Sequence, residues 1–308
     1  MFRAVFQIIL YLLVITLPAW LVTWFGGPGG GVLTDWGRNF ALIGLMILVL
    51  QFLIAARIKW IEQAFGFDIL IRFHKHMALA ALVLLALHPF FLVLGGSAWQ
   101  LRFSLDLPWY ILAGKAALFL LVINALLSSY QQKLKLKFER WRLAHDILAL
   151  AILMLIFLHS WIAGQDLGLW FMQLLWAGLL LLAIYLFVHQ RFIRPQKLRK
   201  QAYQVQEVIQ EAEKVWTIKM VPPQGQDIVD YLPGQFHFLT FFRDSKLPRE
   251  EHHFTISSSP AQRDYISSTI KEVGDFTSTI GRTKAGDKVA VHGPFGRFSH
   301  VLHPKEND

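Results

Sequence analysis

Six stretches of about twenty apolar residues lie before Arg191, near 4–25, 37–56, 73–95, 109–130, 143–163 and 168–189, and none follows it. Roughly 20 apolar residues cross a hydrocarbon core of about 30 Å as a helix. In lipid the backbone must satisfy its own N–H and C=O groups, so segments of this length are read as transmembrane helices. The first is too long for a cleaved signal peptide and no small-residue cleavage site follows it, so it is expected to stay as a helix. Hydrophobic residues make up 55% of the 308 and charged residues 17%, which fits a six-helix bundle with a soluble appendage.

The loops alternate in charge. Arg57, Lys59, Arg72 and Lys75 flank one turn, Lys133, Lys135, Lys137, Arg140 and Arg142 another, and Arg191, Arg194, Lys197, Arg199 and Lys200 follow the last segment. The alternate loops, 26–36, 96–108 and 164–167, hold only Arg102 among basic residues outside the helix ends. The positive-inside rule then places both termini and the soluble region in the cytoplasm, with a bacterial inner membrane as the expected setting. The net charge of +9 reads as topology and attraction to lipid headgroups. No nucleic-acid motif accompanies it, so no nucleic-acid partner is expected. With no cysteine in the chain, disulfides, thiolate metal sites and iron–sulfur clusters are excluded.

Two of the apolar segments carry histidines in matched pairs: His74 and His88 on one, His145 and His159 on the other. Fourteen helical residues turn about 1400°, roughly 40° short of four turns, and rise about 21 Å. Each pair therefore shares one helix face, with one imidazole toward each side of a bilayer. Antiparallel packing would bring His74 to His145 at one level and His88 to His159 at the other. Neutral imidazole is the usual nitrogen ligand of haem iron, so four ligands in two layers are expected to hold two b-type haems. His76 lies twelve residues from His88, rotated about 120° off the shared face, and is not expected to ligate. Arg72, Lys75, Arg140 and Arg142 stand within a turn or so of the His74–His145 level, where they could neutralise haem propionates or act only as topogenic charges.

Other features have plainer readings. The run Gly26-Gly27-Pro28-Gly29-Gly30-Gly31 lacks the Lys-Ser/Thr of a phosphate loop and reads as a connector. Pro18 is expected to kink the first helix. The alternation Lys133–Phe138 reads as a basic turn on the headgroups. Lys115, near the outer end of the fourth segment, either snorkels or meets an anion.

After Lys200 the pattern changes to alternating, turn-punctuated sequence. Gln204–Val208, Val215–Val221, Phe236–Phe242, Phe254–Ser257, Tyr265–Val273 and Lys288–His292 read as about six strands, a small antiparallel barrel. Gly274-Asp275-Phe276-Thr277 opens a short helix whose N-terminus would offer N–H groups to a pyrophosphate. The domains are placed at 1–195 and 196–308.

At these residues the chain resembles the ferric reductase and NADPH oxidase superfamily. Phe73-His74-Lys75 with His88, and Trp141-Arg142-Leu143-Ala144-His145 with His159, are similar to its two haem-bearing helices. Pro233-Gly234-Gln235-Phe236 and His252-His253-Phe254-Thr255-Ile256-Ser257-Ser258 resemble the flavin-binding barrel of the ferredoxin-reductase type. The resemblance implies FAD as cofactor. It implies that Phe254 stacks on the isoalloxazine, Thr255 bonds near the reactive nitrogen, and His252 reaches the ribityl or phosphate region. It implies further that Gln235 belongs to the strand entry, and that Lys271, Gly274 and Thr277 hold the pyrophosphate. His253 stands where the family has proline, which loses a fixed φ. After Gly293-Pro294-Phe295-Gly296-Arg297-Phe298 the family continues into a nicotinamide-nucleotide lobe, and Val301–Asp308 is too short to hold it.

The function expected is that of a transmembrane oxidoreductase. Electrons would pass from a cytoplasmic reductant, with NAD(P)H as donor, through FAD and two haems to ferric iron or dioxygen outside. The nucleotide-binding lobe is either supplied by a reductase partner or lost by truncation, and reduction by NADH or NADPH alone is expected to be slow. The alternative is a haem-bearing membrane subunit that docks a separate electron-transfer protein without itself binding FAD. A transporter reading is set aside for want of inverted repeats or broken helices at mid-membrane.

Overall fold

The computed structural model describes residues 2–26, 30–96 and 104–302. The centre of the glycine run (27–29) and Arg102 lie outside these residues. The chain forms two compact units, one of residues 1–58 with 69–187, the other of residues 59–68 with 188–308.

The first unit is helical. Helices α1 (Phe2–Phe25), α2 (Val32–Ala55), α4 (Phe67–Leu94), α5 (Trp109–Tyr130), α6 (Phe138–Ala163) and α7 (Trp170–Val188) are long and apolar enough to cross a membrane. At 1.5 Å per residue, even the 19 residues of α7 span about 28 Å. The starts follow local chemistry: Gly31 precedes α2 at φ 108°, open to glycine but strained for other residues, and Pro108 precedes α5. The core is built from Leu45, Met46 and Ile47 of α2, Ala81 of α4, Leu121 of α5, Leu153 of α6 and Trp176 of α7. The outward apolar surface, such as Leu13 on α1, Phe119 on α5 and Leu181 on α7, is exposed, as expected of helices meeting lipid rather than water. Exposed Trp20, Trp24, Trp36, Trp109, Trp161 and Trp170 all stand at the same ends of their helices, where α1 and α6 finish and α2, α5 and α7 begin. Tryptophan with an apolar body and one N–H favours the membrane–water boundary.

Small residues fix how closely α2 meets α4. Gly37 and Gly44 are seven apart on one face of α2. A Cβ at Gly37 would lie 3.1 Å from the His88 carbonyl oxygen, and one at Gly44 would lie 2.9 Å from Leu85. In lipid, helices associate by such close packing, because lipid tails compete with any purely apolar contact.

The second unit contains α3 (Lys59–Phe65), a single π-helical turn at His189–Ile193, α8 (Arg194–Lys200) and a six-stranded antiparallel sheet. Its strands are β1 (Tyr203–Ala212), β2 (Val215–Val221), β3 (Phe236–Phe242), β4 (Glu251–Thr255), β5 (Ile266–Lys271) and β6 (Lys288–Phe295), in the order β4-β3-β6-β1-β2-β5. The outer strands meet where the Ser257 N–H donates to the Ser267 carbonyl at 2.8 Å. The core holds Val205, Ile218, Met220, Leu239, Phe241, Ile266 and Val289. Strand β4 begins three residues earlier than the apolar pattern suggests and ends at Thr255, because Glu251, His252 and His253 pair with Thr240, Leu239 and Phe238 despite their polarity. The short helix expected after Gly274 is a six-residue 3-10 helix, Thr277–Arg282.

Residues 59–68, read from sequence as a basic loop, pack with this second unit. The buried Glu62 carboxylate accepts the Gly296 N–H at 2.8 Å, Arg297 donates to the Gln63 carbonyl, and Phe67 lies 5.4–6.3 Å from Phe236, Phe238 and Phe295. Burial pushes the Glu62 carboxyl above its ordinary pKa against the opposing pull of the Gly296 hydrogen bond, Arg297 and Lys59.

Beneath β4 lies His237, fully buried on β3. Ser268 Oγ donates to the Thr255 carbonyl (2.9 Å), so it accepts from His237 Nε2–H (2.7 Å), which leaves Nδ1 as the bare nitrogen. Burial pulls the His237 pKa from 6.5 down to about 3. The unfolded chain therefore takes up this proton below about pH 6.5 and the folded chain only below about 3, so stability falls as pH drops through that window. By pH 5 the loss is about 2 kcal/mol. Melting of the protein at pH 7 and pH 5 should show a steeper acid dependence for wild type than for His237→Gln. Equal dependence in the two would show that this histidine is not held neutral.

Candidate functional site: two imidazole pairs and a flavin-type strand

The histidine helices α4 and α6 bring the four imidazoles together in two layers. His74 and His145 have ring centroids 6.2 Å apart, and His88 and His159 6.5 Å apart. A metal–imidazole bond is about 2.0 Å, so with the half-width of a ring on each side, two trans imidazoles on one metal have centroids about 6 Å apart. Both pairs match that separation. A directly hydrogen-bonded imidazole pair, with nitrogens about 2.9 Å apart, would bring the ring centroids to about 5 Å, closer than either pair stands here.

Three of the four remaining nitrogens are held by the neighbouring helices. His88 Nδ1 lies 2.9 Å from the Gly37 carbonyl of α2, and His159 Nδ1 lies 2.9 Å from the Tyr110 carbonyl of α5. His145 Nδ1 meets Asn124 Oδ1 of α5 at 3.0 Å, with Ser128 Oγ at 3.3 Å. His74 Nδ1 makes no hydrogen bond of good geometry, and the backbone it faces is that of Gln51 on α2. A carbonyl acceptor at Nδ1 puts the proton there and leaves Nε2 free to ligate. These partners repeat the ligand spacing: Gly37 and Gln51 are fourteen residues apart on α2, as are Tyr110 and Asn124 on α5. Each ligand helix is thus backed by an antiparallel neighbour in the same register. Gly114, one turn beyond Tyr110, makes room for His159, since a Cβ there would lie 2.8 Å from its ring. The donor set, spacing and acceptors fit iron held by two imidazoles per layer.

His76 takes no part in either layer. It is exposed, and its Nδ1 bonds its own helix at the Arg72 carbonyl at 2.7 Å. Arg142 is paired with Glu139 at 2.7 Å. Lys115 donates to the Ser104 carbonyl at 2.8 Å. At the Trp-rich end of the bundle, Asp35 and Asp166, far apart in sequence, converge on Arg38 at 3.2 and 3.4 Å.

The flavin-type residues occupy one region of the barrel. On β4, His252 and Phe254 share a face, while His253 and Thr255 lie on the other and are exposed. Phe254 rests half-buried against the core. His252 stacks on Phe276 with centroids 4.1 Å apart and pairs with Glu250 at 2.9 Å. Since Phe276 lies between Gly274 and Thr277, this stacking brings His252 beside the pyrophosphate-type stretch. There the Val273 and Gly274 N–H groups both donate to Thr277 Oγ1 at 2.9 Å, so the hydroxyl closes its own turn. Lys271 is exposed at the end of β5. Gln235 is a clasp: its Oε1 accepts the Leu232 N–H (2.8 Å) and its Nε2 donates to the Gly296 carbonyl (3.0 Å). That arrangement closes the Pro233-Gly234 turn, where Gly234 at φ 83° has its Cβ position against the Phe298 carbonyl. Where the family has proline, β4 is held by its pairing with β3 and by the His237–Ser268–Thr255 chain.

Residues 40–156 match the model of the ferric reductase like transmembrane component, and residues 201–299 match that of an FAD-binding domain. The sulfhydrogenase 1 subunit gamma of Pyrococcus furiosus is 31% identical over 86 residues. That match covers 28% of each protein, so the chain spans about a quarter of that relative's length. Among solved structures, the flavohem-like FAD/NAD binding domain of nitric oxide dioxygenase from Vibrio cholerae is 23% identical, over 34% of this chain and 47% of that one, with a TM-score of 0.30. Flavohemoglobin from Malassezia yamatoensis is 14% identical over 90% of this chain and 64% of that one, with a TM-score of 0.32.

Proposed function

The chain belongs to the ferric reductase and NADPH oxidase superfamily, and on that premise we propose that it carries electrons across the membrane from a cytoplasmic reductant, through FAD and two b-type haems, to ferric iron or dioxygen outside. It is an integral membrane oxidoreductase with an FAD-binding domain. The observation that carries the finer reading is the pair of imidazole couples, each spaced for one metal and backed by acceptors at the same fourteen-residue interval. When bound, FAD accepts electrons in pairs and releases them singly, and bis-imidazole haem iron passes single electrons.

The residues supply position and environment. His74 and His145 would hold the inner haem, His88 and His159 the outer, with Gly37, Tyr110 and Asn124 fixing the ring orientations. Both imidazoles of the outer layer would be taken up in holding that haem, which would supply single-electron transfer there. The basic residues at the His74–His145 ends of the helices support a cytoplasmic placement of that side. The tryptophans at the other ends mark the opposite boundary.

NAD(P)H is the proposed donor and a nucleotide-binding reductase lobe the proposed partner. In the flavin domain, Phe254 would pack against the isoalloxazine, and Thr255 would supply a hydrogen bond at its reactive edge. His252, Lys271, Gly274 and Thr277 would serve the ribityl and pyrophosphate end. The purified protein should retain FAD, and Phe254→Ala should lower its affinity by about tenfold or more, because an aromatic stack carries most of the contact area. Thr255→Val should slow flavin reduction more than it weakens binding. A purified wild-type chain that binds no FAD would favour the alternative, a haem subunit served by a separate flavoprotein.

A further inference from the structure

We propose that Asn124 is a positioning residue that lowers the reduction potential of the inner haem through His145, and so favours outward electron flow. The inference rests on the di-haem reading above and deepens it.

Asn124 is a buried amide inside an apolar helix, where a polar side chain is costly unless it is partnered. Its partner is His145: Oδ1 lies 3.0 Å from Nδ1. If Nε2 of His145 takes the iron, Nδ1 must carry the proton, which makes the amide oxygen, not its nitrogen, the atom that faces the ring. Ser128 Oγ stands 3.3 Å from the same Nδ1 and also accepts from the Trp141 indole N–H at 3.3 Å. The Trp141 ring lies 5.5 Å from the His145 ring, tilted 30°. This histidine is thus surrounded by polar and aromatic side chains.

The outer layer is built differently. His88 and His159 meet backbone carbonyls, of Gly37 and Tyr110. Both residues lie within helices, where a carbonyl also accepts the N–H four residues on. The oxygen of Asn124 has no such competing ladder bond and is the freer acceptor. A hydrogen bond from Nδ1–H makes the imidazole a stronger donor to its metal. A stronger donor favours the ferric state and lowers the potential. The spacing sharpens the contrast, because Asn124 sits fourteen residues after Tyr110, at the equivalent place on the same face of α5. At one level the helix uses its backbone, at the other a side chain that substitution can remove. A purely structural role for this bond would leave the potential alone.

The test is a potentiometric titration of the purified protein, following both haem absorbance and the low-spin electron paramagnetic resonance signals. In wild type the inner component should titrate at the lower potential. Asn124→Leu, which keeps the volume and removes the acceptor, should raise the inner midpoint, narrow the gap between the haems and shift only the inner haem's resonance signal. Asn124→Asp, a stronger acceptor, should move the inner midpoint downward, and it keeps the question decidable if the leucine variant loses its haem. Ser128→Ala should move the inner midpoint less than Asn124→Leu does. An inner midpoint unchanged in variants that retain both haems would overturn the proposal, as would equal shifts in both components. A wild-type protein without two haem components would instead sink the di-haem reading, and this inference with it.

Discussion

If the proposed di-haem assignment holds, alanine at His88 or His159 should remove the outer haem and leave one low-spin signal, and alanine at His74 or His145 should remove the inner haem. Each ring pair is spaced for a single shared metal, so losing one imidazole leaves the other with half a coordination pair. Haem content per chain should fall from two toward one, and transmembrane electron delivery should be lost entirely, because neither haem alone spans the path. His76→Ala should keep both haems, since that ring is bonded to its own helix at Arg72. The measurement is haem per chain by pyridine haemochrome, alongside the resonance spectrum. Loss of a haem in His76→Ala together with its retention in His74→Ala would refute the shared-face reading.

The second large effect comes from a residue that ligates nothing. At Gly114 an added Cβ would sit 2.8–2.9 Å from three atoms of the His159 ring. Its Nδ1, one of those atoms, is already held by the Tyr110 carbonyl of the same helix, so the added atom can be accommodated only by turning the imidazole or moving α5. Overpacking of this kind costs about 1–3 kcal/mol, and disturbing the support of a metal ligand typically costs about 10–100-fold in affinity. Gly114→Ala should therefore lose most of the outer haem while the inner haem stays. Gly178→Ala, where nothing lies within 4 Å of the added atom, is the matched control and should retain both. Full outer haem in Gly114→Ala would mean that the His159 ring is less constrained than its contacts indicate.

Much of this architecture is legible in the residues. The six apolar segments appear as six helices, with boundaries moved by a few residues where polar ends such as Phe138–Arg142 continue the helix. The ligand pairs are visible because histidine is rare in lipid and its spacing is a simple multiple of the helix turn. The supports behind them are not visible. Gly37 and Tyr110 act through backbone carbonyls, which have no side-chain signature, and Gly114 acts through the absence of a Cβ. Asn124 could have been found, since an asparagine inside an apolar segment is a polar side chain that needs a partner. Residues 59–68 read as a charged loop because nothing in the local sequence says that the Glu62 carboxylate will cap the Gly296 N–H, over two hundred positions away. On β4, the polarity of Glu251, His252 and His253 hid the start of a strand whose place is fixed by pairing with β3.

The most direct test of transmembrane electron transfer uses protein reconstituted in sealed vesicles with the flavin domain outward and an impermeant ferric complex trapped inside. Reductant is supplied to the outside only. The trapped complex should be reduced at a rate proportional to the amount of protein, and His74→Ala and His88→Ala should each bring that rate to the level of empty vesicles. No protein-dependent reduction in wild type, or an undiminished rate in either histidine variant, would contradict the account.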